Sequence, residues 1–299
     1  MRLDLLPSLP KKRASMKIVR MRHLLRSTAP RMLLWSMISM LACSELAAQQ
    51  TTPPAAIIPA HDSFTLVSKA IGEARTINVY TPAFYKTTGA RLPVLYIPDG
   101  GLDEDFPHIV HTVDSLVRAH AIRPVIVVGI PNTVRRRDLT GPTRIESDSA
   151  MSPTVGGSAR FRTFINDELF PEIQQRYHTT SERSIVGESL AGLFIVETFL
   201  RTPDMFSHYI ALDPSTWWNA GALIDSAPNF IKVFNAKPRT LYLAVSDIQE
   251  MGEGVARLDK ILRANPVAGL RWSYRRRLDL KHDTIFHALE GPALASALR

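Results

Sequence analysis

The segment VGESLAGL, residues 186–193, holds a serine in a pattern that suits a hydrolytic nucleophile. GESLA matches G-x-S-x-G except at its last position, where Ala191 stands and Gly192 follows. A buried-strand pattern precedes Ser189 and helical apolar spacing follows it, so the serine falls on a strand-to-helix turn. Small neighbours and the start of a helix favour an exposed hydroxyl and developing negative charge. The pattern predicts a nucleophile at Ser189; the alternative is a serine that only caps the helix.

A serine nucleophile needs a base, and three histidines follow Ser189 in the chain. His208 opens an apolar strand pattern, which indicates a structural position. His282 comes directly after the last predicted strand, in LKHDTIFH, where we expect a loop at the top of the sheet to present a base. His287 lies five residues further on and remains the alternative.

The acid that orients the base is expected after the penultimate predicted strand, TLYLAVS. The next residues, DIQEMGE, offer Asp247, Glu250 and Glu253. The spacing does not rank these three carboxylates. Backbone N–H groups that receive the oxyanion are expected at Leu190 and, after the strand in PVLYIPDGG, at Gly101 or Leu102.

Two further groups of side chains are candidates for substrate binding. Trp217 and Trp218 follow a strand end, where aromatic surface could cover an acyl or aryl group, or could simply pack in the core. The run RRRD, residues 135–138, follows another strand end, and we single out Arg137 as a clamp for an anionic group. A solvated charged loop is the alternative for this run.

The order of the predicted elements favours an α/β-hydrolase fold: a mostly parallel central sheet with helices on both faces. Eight strand patterns, several of them continuous Val/Ile/Leu/Tyr runs, alternate with helical patterns at 107–120, 159–177, 190–202 and 252–264. The first two strands are separated only by IGE, which predicts an antiparallel hairpin at the sheet edge. No repeat or second linker is apparent, so residues 61–299 are predicted to be a single catalytic domain after a proline-rich linker at 49–60.

The basic residues are concentrated before this domain. Residues 1–48 carry nine Lys/Arg and two acids, or 9 − 2 = +7, and the whole chain carries +8, which leaves +1 for the rest. A nearly neutral domain argues against nucleic acid as a partner. The basic start, the apolar run at 32–42 and the small residues up to Ala48 resemble an export signal, too short for a stable membrane span. Cys43, the single cysteine, offers a lipid anchor as the alternative to soluble periplasmic or secreted protein.

Taken together, these motifs resemble the putative-esterase family of α/β-hydrolases, which contains esterase D, feruloyl esterases and siderophore esterases. GEARTINVYTP, LPVLYIPDG, PVIVVGIPNTVRRRDLTGP, FINDELFPEI, VGESLAGLF, LDPSTWW and KHDTIFHALEGPALASALR carry the resemblance, in this order. It implies that Ser189 is the nucleophile and His282 the base. Ser246 stands where the family usually has glycine, and the family's acid falls near Gln249. The resemblance therefore leaves open whether a carboxylate or a Ser–His pair completes the site.

The sequence thus predicts an exported serine esterase that acts on a small-molecule ester without a cofactor. The alternatives are an acyltransferase on the same scaffold and a non-catalytic binding protein that keeps the fold. His108 and His111 form an H-x-x-H pair, but the H-E-x-x-H signature is missing, so we expect no catalytic metal. The oligomeric state does not follow from the sequence.

Overall fold

A computed structural model describes residues 58–299, which form eight strands and eleven helices. The predictions for the leader, for Cys43 and for the linker up to residue 57 lie outside these residues. The strands are β1 (His61–Ser68), β2 (Glu73–Tyr80), β3 (Leu92–Pro98), β4 (Ile126–Ile130), β5 (Thr179–Glu188), β6 (His208–Leu212), β7 (Arg239–Val245) and β8 (Leu270–Arg276). All eight predicted strands are present.

The strands form one sheet in the order β1-β2-β4-β3-β5-β6-β7-β8. β1 and β2 are antiparallel, as the short IGE connection predicts, and β2 is antiparallel to β4. From β4 to β8 every neighbouring pair is parallel. Parallel strands bring their carboxyl ends to one edge, so residues that follow β3, β5 and β6 meet there.

Helices cover both faces of the sheet, as predicted. They are α1 (Tyr85–Thr88), α2 (Phe106–Arg118), α3 (Arg135–Leu139), α4 (Glu146–Ala150), α5 (Ser158–Thr163), α6 (Phe170–Arg176), α7 (Ser189–Arg201), α8 (Ala222–Asp225), α9 (Ala227–Ile231), α10 (Gln249–Ala264) and α11 (His282–Leu298), with a π-helical turn at Phe164–Leu169 and a 3₁₀ turn at Trp218–Gly221. α2 and α11 share one apolar core, and α5, α6, α7 and α10 contribute to the other. Within residues 58–299, no helix combines the length and apolarity needed to cross a membrane.

The last helix differs from the prediction. The sequence predicts a loop at His282, but α11 begins at His282 itself. Its first turns are helical because Ile285, Phe286 and Leu289 are buried against the sheet and α2. Thr284 Oγ1 accepts a hydrogen bond from the backbone N–H of Lys281 at 3.0 Å, which caps the N-terminus of α11. The candidate base therefore stands on a helix rather than on a loop.

Three residues that directly follow strands have left-handed backbone conformations. Asp99 follows β3 with φ 58°, Ser189 follows β5 with φ 58°, and Asp213 follows β6 with φ 44°. A positive φ is uncommon for residues with a Cβ, because the Cβ crowds the backbone carbonyl. All three therefore turn sharply where their strands end, and their side chains are presented at the carboxyl edge of the sheet.

Candidate active site

Ser189 occupies the tight turn between β5 and α7. The preceding residue, Glu188, is extended (φ −118°, ψ 160°), and the chain then enters the helix at once. The turn leaves little room: a Cβ on Gly187 would come within 2.7 Å of the Ala191 Cβ, and a Cβ on Gly192 within 3.0 Å of the Leu212 carbonyl oxygen. The small residues of the motif are thus explained by close approach. Ser189 Oγ lies 3.5 Å from Ser215 Oγ.

His282 is fixed by a buried carboxylate. Its Nδ1 lies 2.8 Å from Oδ2 of Asp213, which is fully buried directly after β6. Asp213 also accepts hydrogen bonds from the Ser246 backbone N–H at 2.9 Å and from Ser246 Oγ at 2.6 Å. The hydrogen bond to Asp213 raises the pKa of His282 above its ordinary value. With a proton on Nδ1 donated to Asp213, Nε2 is the ring nitrogen left to act as a base.

The acids expected after β7 are not in contact with His282. Asp247 pairs with Lys281, Glu250 is exposed near the start of α10, and Glu253 accepts a hydrogen bond from Gln249. Within residues 58–299, the carboxylates within 4 Å of a His282 nitrogen are Asp213 and Glu188. The structure therefore brings the residue after β6, and not those after β7, into contact with His282. The chain order serine, acid, histidine is kept.

Glu188 is a second carboxyl group beside the histidine. Its Oε1 lies 3.8 Å from His282 Nδ1 and has no hydrogen-bond partner within residues 58–299. Burial raises the pKa of Glu188 to about 7, opposed by His282 and reinforced by Asp105 and Asp213. The sequence analysis did not single out this residue, although it stands directly before the serine.

The candidate oxyanion donors differ in their surroundings. Leu190 is in the first turn of α7, where backbone N–H groups have no carbonyl acceptor within the helix. The Gly101 N–H donates to Glu104 Oε2 at 2.7 Å, so this predicted donor is engaged in the structure. Within the part of the chain that the structure describes, no acceptor is found for the Leu102 N–H. Of the three predicted oxyanion donors, the N–H groups of Leu190 and Leu102 are thus the ones without an acceptor among the described residues.

The tryptophans and arginines only partly match their predicted positions. Trp218 is 4% exposed and its Nε1 donates to the Gly141 carbonyl at 2.8 Å, so it packs in the core; Trp217 is half-buried against the same core. Arg137 is held by Glu73 and Asp138 in an ion-pair cluster. Trp218 and Arg137 are thus engaged in contacts within the fold, and their role as substrate contacts stays a prediction.

The arginine nearest the site is Arg135, two residues earlier. It forms a bidentate contact with Asp99, Nε to Oδ1 at 2.8 Å and Nη2 to Oδ2 at 2.6 Å, and its side chain is 38% exposed. Its charge lowers the pKa of both Glu188 and His282, which shows that it lies within electrostatic reach of them. The RRRD run therefore does bring one arginine to this edge.

A mostly parallel eight-stranded sheet, with a serine on the β5–α7 turn and a histidine–aspartate pair at the same edge, defines an α/β-hydrolase. The chain belongs to the putative-esterase family, whose model matches residues 68–245, more than half of its 299 residues. It is a carboxylic ester hydrolase, as the sequence predicts.

Known relatives agree with this family. The chain is 28% identical over 236 residues to ferri-bacillibactin esterase BesA of Bacillus subtilis. The matched region covers 70% of the chain and 80% of that protein. It is 31% identical over 179 residues to the siderophore triacetylfusarinine C esterase of Aspergillus fumigatus, covering 54% of the chain and 58% of that protein. The fold is similar to that of an IroE-like serine hydrolase from Shewanella oneidensis, with a TM-score of 0.72, 24% identity and 79% of each chain covered.

Proposed function

We propose that this esterase is an exported serine hydrolase that works through an acyl-enzyme on Ser189. Its base is His282, oriented by Asp213. Two features at the same edge of the sheet carry the proposal. Ser189 has a left-handed backbone conformation on the turn between β5 and α7, and His282 is hydrogen-bonded to the buried carboxylate of Asp213. A serine hydroxyl without such a base is a weak nucleophile.

The chemistry follows from this arrangement. Ser189 Oγ attacks the ester carbonyl carbon while His282 Nε2 takes the hydroxyl proton. The negative charge that forms on the carbonyl oxygen is received by the N–H groups of Leu190 and Leu102, with the N-terminus of α7 adding favourable potential. Collapse expels the alcohol, which receives the proton from His282, and leaves the acyl group on Ser189. Water then attacks the acyl carbon while His282 takes its proton. The proton passes to Ser189 Oγ as the acid is released.

The substrate class that we favour is a siderophore-type ester. The support is that two relatives are siderophore esterases, one for ferri-bacillibactin and one for triacetylfusarinine C. Arg135, partly exposed beside the site, adds a cation that suits an anionic ligand. A panel of siderophore, feruloyl and short-chain acyl esters tests this choice. A kcat/KM for feruloyl or short-chain esters above that for every siderophore ester would refute the substrate class and leave the nucleophile unaffected.

A fluorophosphonate probe tests the nucleophile. The probe should label the wild-type protein at Ser189, with no label on Ser189→Ala and full label on Ser215→Ala, whose hydroxyl is the neighbour at 3.5 Å. Labelling of the Ser189→Ala variant at wild-type rate would refute the assignment. Absence of both labelling and ester turnover in the wild type would favour the non-catalytic alternative, and transfer of the acyl group to an added alcohol in preference to water would favour the acyltransferase.

Export is part of the proposal. Residues 1–48 are expected to be removed, or the chain to be cut before Cys43 and lipidated there. Mass spectrometry of the mature N-terminus distinguishes the two. An intact leader on protein recovered outside the cytoplasm would contradict both.

A further inference from the structure

A second cluster of ligating side chains joins α2 to α11 away from Ser189. His108 Nδ1 lies 2.5 Å from Glu290 Oε2, and His287 Nδ1 lies 4.0 Å from the same oxygen. One ligand atom from each of these three residues lies within 4.8 Å of the other two. His287 and Glu290 are three residues apart on α11, which places both on the face that meets His108.

These distances are close to those of a tetrahedral zinc site. With Zn–N and Zn–O bonds of about 2.0–2.2 Å, tetrahedral ligand atoms lie roughly 3.3 Å apart. To reach this spacing, the 2.5 Å distance from His108 to Glu290 must lengthen and the 4.0 Å distance from His287 to Glu290 must shorten, each by less than about 1 Å. The side chain of His287 is 64% exposed, so a change of rotamer can bring its Nδ1 closer to Glu290 Oε2. The exposed ring also gives an ion a path into the cluster.

The surrounding residues already form the outer shell that such a site needs. His108 Nε2 lies 3.2 Å from Asp105 Oδ1, so a carboxylate holds the ring nitrogen opposite the one facing Glu290. Thr112 Oγ1 donates to Glu290 Oε1, which leaves Oε2 facing the histidines. Carboxylate–histidine–metal arrangements of this kind orient the ligand ring and select its tautomer.

Charge in the cluster favours a divalent cation. Two carboxyl groups, those of Asp105 and Glu290, lie against His108, and their side chains are 26% and 9% exposed. Buried carboxylates are costly unless their charge is compensated.

We propose that His108, His287 and Glu290 bind Zn²⁺, or a transition metal of similar preference, with a water as fourth ligand. Imidazole and carboxylate ligands suit zinc among the available metals. The bound ion would fasten α2 to α11, the helix whose first residue is His282. The H-x-x-H pair noted in the sequence does not form it, because His108 combines with residues of α11 rather than with His111.

Zinc chloride added to the full-length, untagged, chelator-treated protein tests the proposal. At 100-fold excess over Kd, binding of one equivalent should raise the thermal midpoint by about 5–10 °C. His287→Asn should abolish the shift. Because this side chain is 64% exposed, the variant should fold normally, and a thermal midpoint equal to that of the wild type in zinc-free buffer checks this. His178→Asn, an exposed histidine that contacts the Gly89 carbonyl, is the matched control and should keep the shift.

A second variant separates this cluster from the catalytic one. Glu188, Asp213 and His282 also bring ligand atoms close together, so zinc could bind there instead. His282→Asn should keep the zinc shift if the proposal is right. Loss of the shift in His282→Asn with retention in His287→Asn would overturn it, as would an equal shift in every variant or no shift in the wild type. Cobalt(II) should give the intense visible absorption of a tetrahedral site in the wild type and not in His287→Asn.

Discussion

Replacement of Asp213 by asparagine is the sharpest test of the proposed mechanism. Asp213 accepts hydrogen bonds from His282 Nδ1 and from both the backbone N–H and the hydroxyl of Ser246. An asparagine has one oxygen and one NH₂ group. If its oxygen keeps the Ser246 N–H, its NH₂ replaces Oδ2 and faces His282. His282 must then accept at Nδ1, which places the proton on Nε2 and removes the base.

The expected loss is large because the wrong tautomer cannot take the Ser189 proton. In serine hydrolases with this arrangement the same change lowers kcat about 10⁴-fold, or about 5 kcal/mol of transition-state stabilisation. Glu188 lies 3.8 Å from the same nitrogen and can partly restore the tautomer when ionised. Asp213→Asn should therefore retain more activity than the double variant with Glu188→Gln. The difference should grow as the pH rises through the pKa of Glu188, which in this variant lies below its wild-type value of about 7 because the Asp213 charge that raises it is gone.

The assay is steady-state hydrolysis of a chromogenic short-chain ester, with thermal melting to check folding, because Asp213 is fully buried. Asp247→Asn is the matched control: it changes the same charge, but Asp247 contacts Lys281 rather than His282. Its kcat should stay within about threefold of the wild type, by analogy with other surface carboxylates that have no catalytic contact. A folded Asp213→Asn within tenfold of wild-type kcat, or a loss confined to Asp247→Asn, would refute the reasoning.

Other consequences can be measured with the same assay. Ser189→Ala should lower kcat by several orders of magnitude, leave about 10³-fold catalysis over water and hardly change the thermal midpoint, whereas a capping serine would keep activity and lose about 1 kcal/mol of stability. His282→Ala should abolish turnover and His287→Ala should keep most of it; the opposite result would move the base. If neutral His282 is the base, as we propose, its raised pKa means that kcat/KM should rise with pH through a value above 6.5. Arg135→Gln removes a charge that lowers this pKa, so the rise should move to higher pH, while Arg136→Gln should not shift it.

The strands and the nucleophile turn were predictable because their signals are local. Buried parallel strands read as continuous apolar runs, and GESLA encodes both the turn and the small neighbours that it requires. The acid was missed because no local signal connects it to His282: Asp213 and His282 are 69 residues apart and meet only through the order of β6 and β7 in the sheet. Asp213 directly after a buried strand in LDPS was the available clue.

The start of α11 and the engaged Gly101 N–H were missed for similar reasons. Thr284 is a local signal for the start of a helix, because its hydroxyl caps the N-terminus of α11. The usual position of the base in this fold instead leads to the prediction of a loop at LKHDTIFH. The Glu104 carboxylate reaches Gly101 only because the turn after β3 folds back on itself. A side chain that blocks or frees a backbone donor depends on rotamers, which periodicity does not encode.

The left-handed conformations of Asp99, Ser189 and Asp213 have a consequence for protein engineering. Each costs on the order of 1 kcal/mol relative to glycine, and these three are half of the six non-glycine residues with positive φ in the described part of the chain. Selection for heat resistance alone should therefore enrich glycine at Ser189, whose hydroxyl has one contact at 3.5 Å, whereas the hydrogen bonds of Asp99 and Asp213 oppose the same exchange. The most thermostable descendants of this enzyme would then be inactive, unless the screen also demands turnover. A library scored on both properties should place its beneficial substitutions away from this edge.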